Sequence, residues 1–456
     1  MVSSKSSKKP EIWGGIECSF NRVKDLYKDQ LLYCGHYKRT LDDIARIAEL
    51  GIKAMRYPVI WERLHPSPGH PIDWTSVELP LNELRSRGIT PIAGLVHHGS
   101  GPRYADILSP AFAHGLADFA GRVARQFPWI EYYTPVNEPL TTARFSGLYG
   151  LWFPHRRSDR AFTQALLNQM KAVVLAMAEI RKINPDAKLV QTEDLAKIYS
   201  TPQLKYQADF ENHRRWLPFD LLCGMVRRDH PLWKYLIRSG ATESSLKFFI
   251  DNPCPPDIVG ADYYATSERF LDEGLYKYPR RTHGSNHFER YADVEAFRVR
   301  HGQPSGIKLL LKECWDRYHL SIAVTEVHIN CDPDNQIRWF SEIRNACIAL
   351  MQKGVDIKAV TSWAMLGSYG WNTLLTRKRG DYESGVFDVR YGKPKPTPLA
   401  DYLKNISGNP DFVHPAEAEK GWWHQEDRFI FERDTEEAVL EEDKACEPRG
   451  TQPRRP

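Results

Sequence analysis

The chain has 456 residues, of which 42% are hydrophobic and 26% charged, and these proportions are typical of a folded globular protein. A net charge of +4 is small for this length, so the charge balance gives no reason to expect nucleic acid or an anionic membrane surface as a partner. No run of about 18 apolar residues occurs, which excludes a transmembrane helix.

The first ten residues are polar and lack an apolar run after their lysines. We therefore expect a disordered leader over residues 1–10 and no secretory signal. Eight cysteines are scattered without paired spacing, which favours reduced thiols in a cytoplasmic protein. The chain has no Cys-x-x-Cys or His-Glu-x-x-His motif, and we predict no metal and no cofactor.

Strand and helix patterns alternate along the first half of the chain. Apolar residues recur at helical spacing between short β-prone segments, and Gly14 with Gly15 allow close backbone approach in the first strand. The expected strands are 11–20, 52–58, 91–98 and 131–137, and the expected helices are 41–51, 77–88, 112–127 and 159–182.

The second half continues the alternation with longer interruptions. A fifth strand at 187–194 runs into Glu193 and Asp194, and two further stretches, about 195–255 and 266–291, are too long for simple loops. The remaining expected elements are strands at 257–264, 319–328 and 359–366 and a helix at 335–353. Eight strands alternating with helices predict an α/β fold, a (β/α)8 TIM barrel, as a single domain over residues 11–407.

Residues 408–456 differ from the barrel in composition. Trp422, Trp423 and the segment 429–431 offer apolar side chains that would dock on the barrel. The segment 432–456 is acidic and then rich in arginine and proline, a composition typical of disorder.

Two of the predicted strands end in a glutamate. Glu138 lies between Asn137 and Pro139, and the proline disfavours a helical conformation at Glu138, which places the carboxylate at a strand end or turn. Glu326 ends the apolar run of the seventh strand. Polar residues at the carboxyl ends of barrel strands share one mouth, and here they are Arg56, His97, Asn137, Glu138, Tyr264, Glu326 and Trp363.

These ordered segments resemble the family 1 glycoside hydrolases, a retaining group built on the (β/α)8 barrel. Thr134-Pro-Val-Asn-Glu-Pro139 is similar to the family's Asn-Glu-Pro motif, and Ile322-Ala-Val-Thr-Glu326 is similar to its nucleophile strand. The other matching segments, in chain order, are Arg56-Tyr-Pro with Trp61, Leu95-Val-His97, Gly260-Ala-Asp-Tyr-Tyr264 and Ser362-Trp363.

The resemblance implies a role for each matching residue. Glu138 would be the general acid/base, Glu326 the nucleophile, and Asn137 the partner of the sugar 2-hydroxyl. Arg56 and Tyr264 would hydrogen-bond the nucleophile, His97 would contact the sugar, and the tryptophans Trp363 and Trp371 would bind it. A cation beside Glu326 is expected to lower its pKa, while Glu138 keeps a proton.

Each of these residues also has a purely structural interpretation. Arg56 could pair with a structural carboxylate, His97 could be a core histidine, and Trp363 could serve packing. Three further carboxylates in the same mouth compete with the two glutamates for the catalytic roles. They are Asp262, Glu193 and Asp194.

Several positions depart from the family pattern. His98 stands where the family has tryptophan, Asp262 replaces an asparagine, and Val327-His328 replaces Asn-Gly. The Glu-Trp pair that binds outer sugar hydroxyls in the family is here Gly370-Trp371. Because Gly370 has no side chain to hold those hydroxyls, we expect specificity outside the common glucosides.

The sequence therefore predicts a retaining glycoside hydrolase that acts on a β-linked carbohydrate substrate through two glutamates. A transglycosylase using the same residues and a non-catalytic carbohydrate-binding barrel are the alternatives, since a fold alone does not establish turnover. Nothing in the sequence indicates an oligomeric state.

Overall fold

Eight parallel strands form a closed barrel in the computed structural model, which describes residues 9–299, 304–377 and 380–428. Strands adjacent in sequence pair with each other, and the first strand pairs with both the second and the eighth. The strands are Glu11–Gly15, Ala54–Pro58, Thr90–His97, Tyr132–Asn137, Lys188–Asp194, Ile258–Tyr263, Ile322–Val327 and Ile357–Ser362. The predicted (β/α)8 barrel is confirmed.

One layer of side chains from all eight strands fills the barrel interior. Trp13 occupies much of this layer, and alanines from three other strands leave room for its indole ring. Burial on both sides explains why these strands are continuous apolar runs in the sequence. The layer consists of Trp13, Ala54, Ile92, Val190, Ile258, Ala323 and Ala359, with the partly buried Tyr132 packed against it.

Helices connect the strands around the barrel, close to the expected positions. The Ser158 hydroxyl accepts a hydrogen bond from the Ala161 N–H at the start of the longest helix, as an N-cap residue does. The barrel helices are His36–Ala48, Thr75–Ser86, Ala111–Gln126, Asp159–Arg181, Gly306–Tyr318, Pro333–Met351 and Pro398–Gly408. The helices Gly306–Tyr318 and Pro398–Gly408 are not among the elements expected from the sequence.

The insertion expected at about 195–255, after the fifth strand, is largely helical. Its helices are Lys205–Arg214, Leu217–Leu222, Trp233–Arg238 and Glu243–Asp251. Three short helices lie elsewhere in the chain, at Gln30–Tyr33, Trp61–Leu64 and Pro139–Ala143.

A second compact unit comprises the described parts of 196–212, 265–306 and 420–456. It contains a four-stranded sheet in which Lys197–Ser200 runs parallel to Glu268–Asp272, and the other two pairings are antiparallel. The remaining strands of this sheet are Arg290–Glu295 and His283–Ser285. Phe270, Tyr278 and Val294 are among the residues of its own apolar core.

The segment after the last barrel helix contacts the barrel unit up to residue 419. The Arg338 guanidinium donates to the Ala416 carbonyl, and the Lys9 amine donates to the Pro410 carbonyl. Residues 1–8 and 429–456, which include most of the expected leader and the expected disordered tail, lie outside the described residues. Across the described ranges, no helix combines the length and the apolar character needed to cross a bilayer.

A buried carboxylate anchors the helical insertion to the barrel helix Gly306–Tyr318. Arg317 donates to both carboxylate oxygens of Asp220, at 2.9 and 2.7 Å, and the Tyr318 hydroxyl donates at 2.8 Å. His230 lies 3.1 Å from the same carboxylate. These partners outweigh burial, and the pKa of Asp220 is lowered from its ordinary value.

Replacing Asp220 should destabilise the protein strongly. In Asp220→Ala the donors of Arg317, His230 and Tyr318 lose their buried acceptor, and we expect the free energy of unfolding to fall by about 3–5 kcal/mol. Because the folded-state pKa is depressed, this stability is present above the unfolded pKa of the carboxyl and is lost as pH falls. Urea denaturation at pH 7 measures the first effect, and a series that continues from pH 7 down to about pH 2 measures the second.

The control is Asp316→Ala, because Asp316 pairs with Lys312 on the exposed face of the same helix. A surface pair of this kind contributes about 0–1 kcal/mol. Equal losses in the two variants would contradict the anchoring role of Asp220.

Candidate active site

The predicted site residues meet at the carboxyl edge of the barrel. Register explains which of them are neighbours: His97 lies opposite Asn137, and Glu326 lies opposite Asp262. The site residues lie in or after six of the eight strands, near their carboxyl ends, so the closed sheet brings distant sequence positions into one cluster. All eight predicted residues belong to it: Arg56, His97, Asn137, Glu138, Tyr264, Glu326, Trp363 and Trp371.

Glu326 is held by a cation and a phenol. The Arg56 guanidinium donates to one carboxylate oxygen at 2.6 Å, and the Tyr264 hydroxyl donates to the other. Burial and the Asp262 carboxylate raise the pKa of Glu326 well above its ordinary value, while Arg56 and Tyr264 oppose the rise. Arg56 thus acts on the pKa of Glu326 in the expected direction, but burial and the Asp262 charge exceed its effect.

Asn137 links the cation to His97. Its amide oxygen accepts from Arg56 and, at 2.8 Å, from the Thr192 hydroxyl, while its amide nitrogen lies 3.2 Å from Nε2 of His97. Burial, His98 and Arg56 lower the pKa of His97 well below its ordinary value. A neutral His97 accepts from the asparagine through Nε2, which leaves the proton on Nδ1.

Glu138 has a strained backbone and no arginine or lysine partner. Its φ of 43° and ψ of 62° are left-handed, and it forms the N-terminal boundary of the helix Pro139–Ala143. A non-glycine residue in this region costs about 1–3 kcal/mol, and such strain is found at functional sites. Among the described residues, Glu138 makes no ion pair with Arg or Lys.

Burial raises the pKa of Glu138 well above its ordinary value, and the carboxylates of Asp262 and Glu326 raise it further. Nε2 of His98 lies 3.6 Å from Glu138, but burial lowers the pKa of His98 to about 3. His98 is therefore neutral at neutral pH and gives Glu138 no charge compensation.

Asp262 adds a third carboxylate to the two glutamates. Glu138, Asp262 and Glu326 each offer an oxygen, and these three oxygens lie within 4.8 Å of one another. Three oxygens at this spacing could hold a cation, yet Arg56 already supplies positive charge, 2.6 Å from Glu326 and 3.9 Å from Asp262. Because one guanidinium cannot balance three buried carboxylates, protons must remain on this cluster at neutral pH.

Glu193, another of the competing carboxylates, hydrogen-bonds the segment that follows Glu138. It accepts from the Leu140 N–H at 2.7 Å and from the Thr141 hydroxyl at 3.1 Å. Burial raises its pKa to about 8. These bonds fix the first turn after Glu138, so Glu193 orients the segment that follows Glu138. Asp194, next to it, is half-buried.

The aromatic residues line the same cluster. The ring of Trp363 is nearly parallel to that of His97, at 8° with centroids 5.4 Å apart, and the Arg56 guanidinium lies 4.4 Å from its ring centroid. A Cβ on Gly15 would lie 2.4 Å from the Trp363 ring, so glycine is required there. Trp371 meets the His98 ring edge-on at 5.5 Å.

The sequence analysis missed Glu17. It follows the first barrel strand, is 2% exposed, and accepts from the indole N–H groups of both Trp363 and Trp371. A charged residue directly after an apolar strand was the available signal. The expected first strand extended to residue 20 and so concealed it, whereas the strand ends at Gly15.

A closed barrel that carries two close carboxyl groups at its mouth, one of them beside a cation, is the arrangement of a retaining glycosidase. The glycosyl hydrolase family 1 model matches residues 4–383. The chain belongs to glycosyl hydrolase family 1.

Its relatives are distant in sequence. Beta-glucosidase 11 of Oryza sativa subsp. japonica is 23% identical over 82% of this chain and 81% of its own length. The aryl-phospho-beta-D-glucosidase BglC of Bacillus subtilis is 21% identical over 74% and 78%. The solved family 1 β-glucosidase of Thermotoga maritima superposes with a TM-score of 0.72 at 18% identity, covering 89% of this chain and 99% of that one.

Neutralising Asp262 should move the pH optimum. Asp262 raises the pKa of both Glu138 and Glu326, so in Asp262→Asn both pKa values fall. We expect the whole bell-shaped profile of kcat/KM for an aryl glycoside to shift to lower pH.

Asp194→Asn is the matched control, because Asp194 raises the pKa of Glu138 less than Asp262, Glu326 and Glu193 do. Its profile should shift by less than that of Asp262→Asn. An unchanged profile in Asp262→Asn would contradict the coupling.

Proposed function

We propose that the chain is a retaining β-glycosidase in which Glu326 is the nucleophile and Glu138 the general acid/base. The observation that carries this assignment is that two buried glutamates in one site have different surroundings. Arg56 and Tyr264 both donate to Glu326, which stabilises its anion. Glu138 is surrounded by carboxylates that favour its protonated form.

In the first step Glu326 attacks the anomeric carbon as the bond to the aglycone breaks. The leaving oxygen takes the proton of Glu138, and the glycosyl group becomes an ester of Glu326. The nearest oxygens of the two glutamates are within 4.8 Å, which supports direct attack, since retaining pairs are about 5–5.5 Å apart.

In the second step Glu138, now ionised, accepts a proton from water, and the water oxygen attacks the anomeric carbon. The ester bond breaks, Glu326 returns as a carboxylate, and two inversions give net retention. Arg56 also donates to the amide oxygen of Asn137. We propose that this contact holds the asparagine amide for the sugar 2-hydroxyl.

The remaining residues bind the sugar in this proposal. His97 and Trp363 present parallel rings beside Arg56, and Trp371 adds a second indole. Because Arg56 supplies the cation that the nucleophile needs, no metal or cofactor takes part. Hydrolysis and transfer to a sugar acceptor share every step up to the glycosyl ester, and product analysis separates them.

We also propose a cytoplasmic location. The seven cysteines in the described ranges are unpaired, and five of them are buried, which supports a reducing compartment. The proposed partner is a carbohydrate substrate, with no role for nucleic acid or a membrane.

Removing the proton donor gives the test. In Glu138→Gln, turnover of substrates with poor leaving groups should fall by about 10²–10⁴, the usual contribution of general acid catalysis. Dinitrophenyl glycosides need no protonation and should still form the glycosyl ester. The upper limb of the pH profile should disappear. Stopped-flow release of dinitrophenol and steady-state pH profiles measure both effects.

Glu193→Gln is the control, because Glu193 is equally buried and its pKa is also raised, to about 8. Its upper limb should persist. An upper limb that survives in Glu138→Gln and vanishes in Glu193→Gln would overturn the assignment.

A further inference from the structure

Glu17 is a buried carboxylate with four hydrogen-bond donors. The Ser19 N–H and hydroxyl donate to Oε1 at 2.8 and 2.5 Å. The indole N–H groups of Trp363 and Trp371 donate to Oε2 at 3.2 and 3.1 Å. A carboxylate has about four acceptor positions, so these four donors saturate Glu17.

The same bonds engage the only N–H group of each indole. Tryptophan has a single side-chain donor, and that of Trp363 and that of Trp371 both point to Glu17. Glu17 is only 2% exposed, so these bonds are shielded from bulk water, and a hydrogen bond in such an environment is electrostatically stronger than in water. A sugar hydroxyl could take an indole N–H only by breaking one of them.

Residue 370 cannot bind the outer hydroxyls of the sugar either, because its backbone conformation favours glycine. Its φ is +81°, and a Cβ there would lie 3.3 Å from the Gly380 N atom. A side chain at position 370 would be strained by both the backbone angle and the contact. Beside Trp371, a carboxylate therefore comes from Glu17 after the first strand and not from residue 370.

We propose that Glu17 is a positioning residue that determines glycone specificity by holding the indole N–H groups of Trp363 and Trp371 away from the sugar. This inference rests on the proposed glycosidase function. The two tryptophans then offer the sugar their ring faces and edges only. The favoured substrate class is a glycone whose outer hydroxyls need no donor from these indoles, so sugars differing in one such hydroxyl bind alike.

The first test examines the hydrogen bonds without any substrate. In protein labelled with ¹⁵N at the indole nitrogens, Trp363→Phe and Trp371→Phe assign the two resonances. We expect Glu17→Ala to speed solvent exchange of both indole protons by at least about tenfold, because the bonds that protect them are lost. Exchange within about twofold of the unaltered protein would overturn the proposal.

Glu11→Ala is the matched control. Glu11 accepts from the Trp13 indole at 2.9 Å, a tryptophan–glutamate bond at the opposite end of the same strand. This variant should change the Trp13 resonance and leave those of Trp363 and Trp371 in place. Changes at Trp363 or Trp371 as large as those in Glu17→Ala would point to a general loosening of the strand and overturn the specific role of Glu17.

The second test measures specificity by binding. Dissociation constants of deoxynojirimycin and its galacto epimer, which differ only at one hydroxyl, are obtained by calorimetry. We expect a ratio within about tenfold in the unaltered protein and a change of at least about tenfold in Glu17→Ala, since a freed donor discriminates between hydroxyls. An unaltered protein that separates the epimers by more than about 100-fold would overturn the proposal, even if Glu17→Ala did not fold.

Neither measurement requires turnover. Failure of a panel of aryl glycosides to be hydrolysed would count against the proposed function alone. Indole exchange that is insensitive to Glu17 would count against this inference alone.

Discussion

The site depends on one guanidinium among buried carboxylates. Arg56 donates to Glu326, to Asn137 and to the Thr325 carbonyl, and its planar group lies over Trp363. Burial lowers the pKa of Arg56, but Glu326 and Asp262 more than offset this, so its pKa is raised overall and it stays charged. Removing a single partner from such a pair leaves an uncompensated buried charge, which costs about 3–5 kcal/mol.

Arg56 also makes the two glutamates differ in how easily they ionise. Without Arg56, burial and mutual repulsion would protonate Glu138 and Glu326 alike. Because Arg56 and Tyr264 both donate to Glu326, that glutamate is the easier of the two to ionise, although burial raises the pKa of both. Asp262 raises the pKa of both glutamates, so the difference between them depends on Arg56 and Tyr264. In the proposed mechanism, a nucleophile and an acid thus arise from the same residue type.

Much of this arrangement could be predicted from the sequence because parallel strands bring their carboxyl ends to one edge. Five of the site residues end or follow an apolar run, so the sequence pattern located them without any distance information. They are Arg56, His97, Asn137, Tyr264 and Glu326. Pro139 likewise placed Glu138 ahead of its helix and not within it.

Other features depend on contacts that no local pattern encodes. Glu17 meets Trp363 and Trp371, which lie 346 and 354 residues away in sequence. The proximity of Asp262 to Glu326 follows from strand register, with a register irregularity just before that pair, and irregularities of this kind are not visible in hydrophobic periodicity. The helix Gly306–Tyr318 did leave a signal, since Ile307, Leu310 and Cys314 are buried along one face, but the polar stretch before it masked the start.

The most direct measurement is to trap the glycosyl ester. A 2-deoxy-2-fluoro β-glycoside with a dinitrophenyl leaving group slows the second step more than the first, so a covalent intermediate accumulates if one exists. Mass spectrometry of the intact protein and of its peptic fragments should show one added fluoroglycosyl group, attached to Glu326. A label on Glu138 or Asp262, or turnover with inverted product and no covalent adduct, would contradict the account.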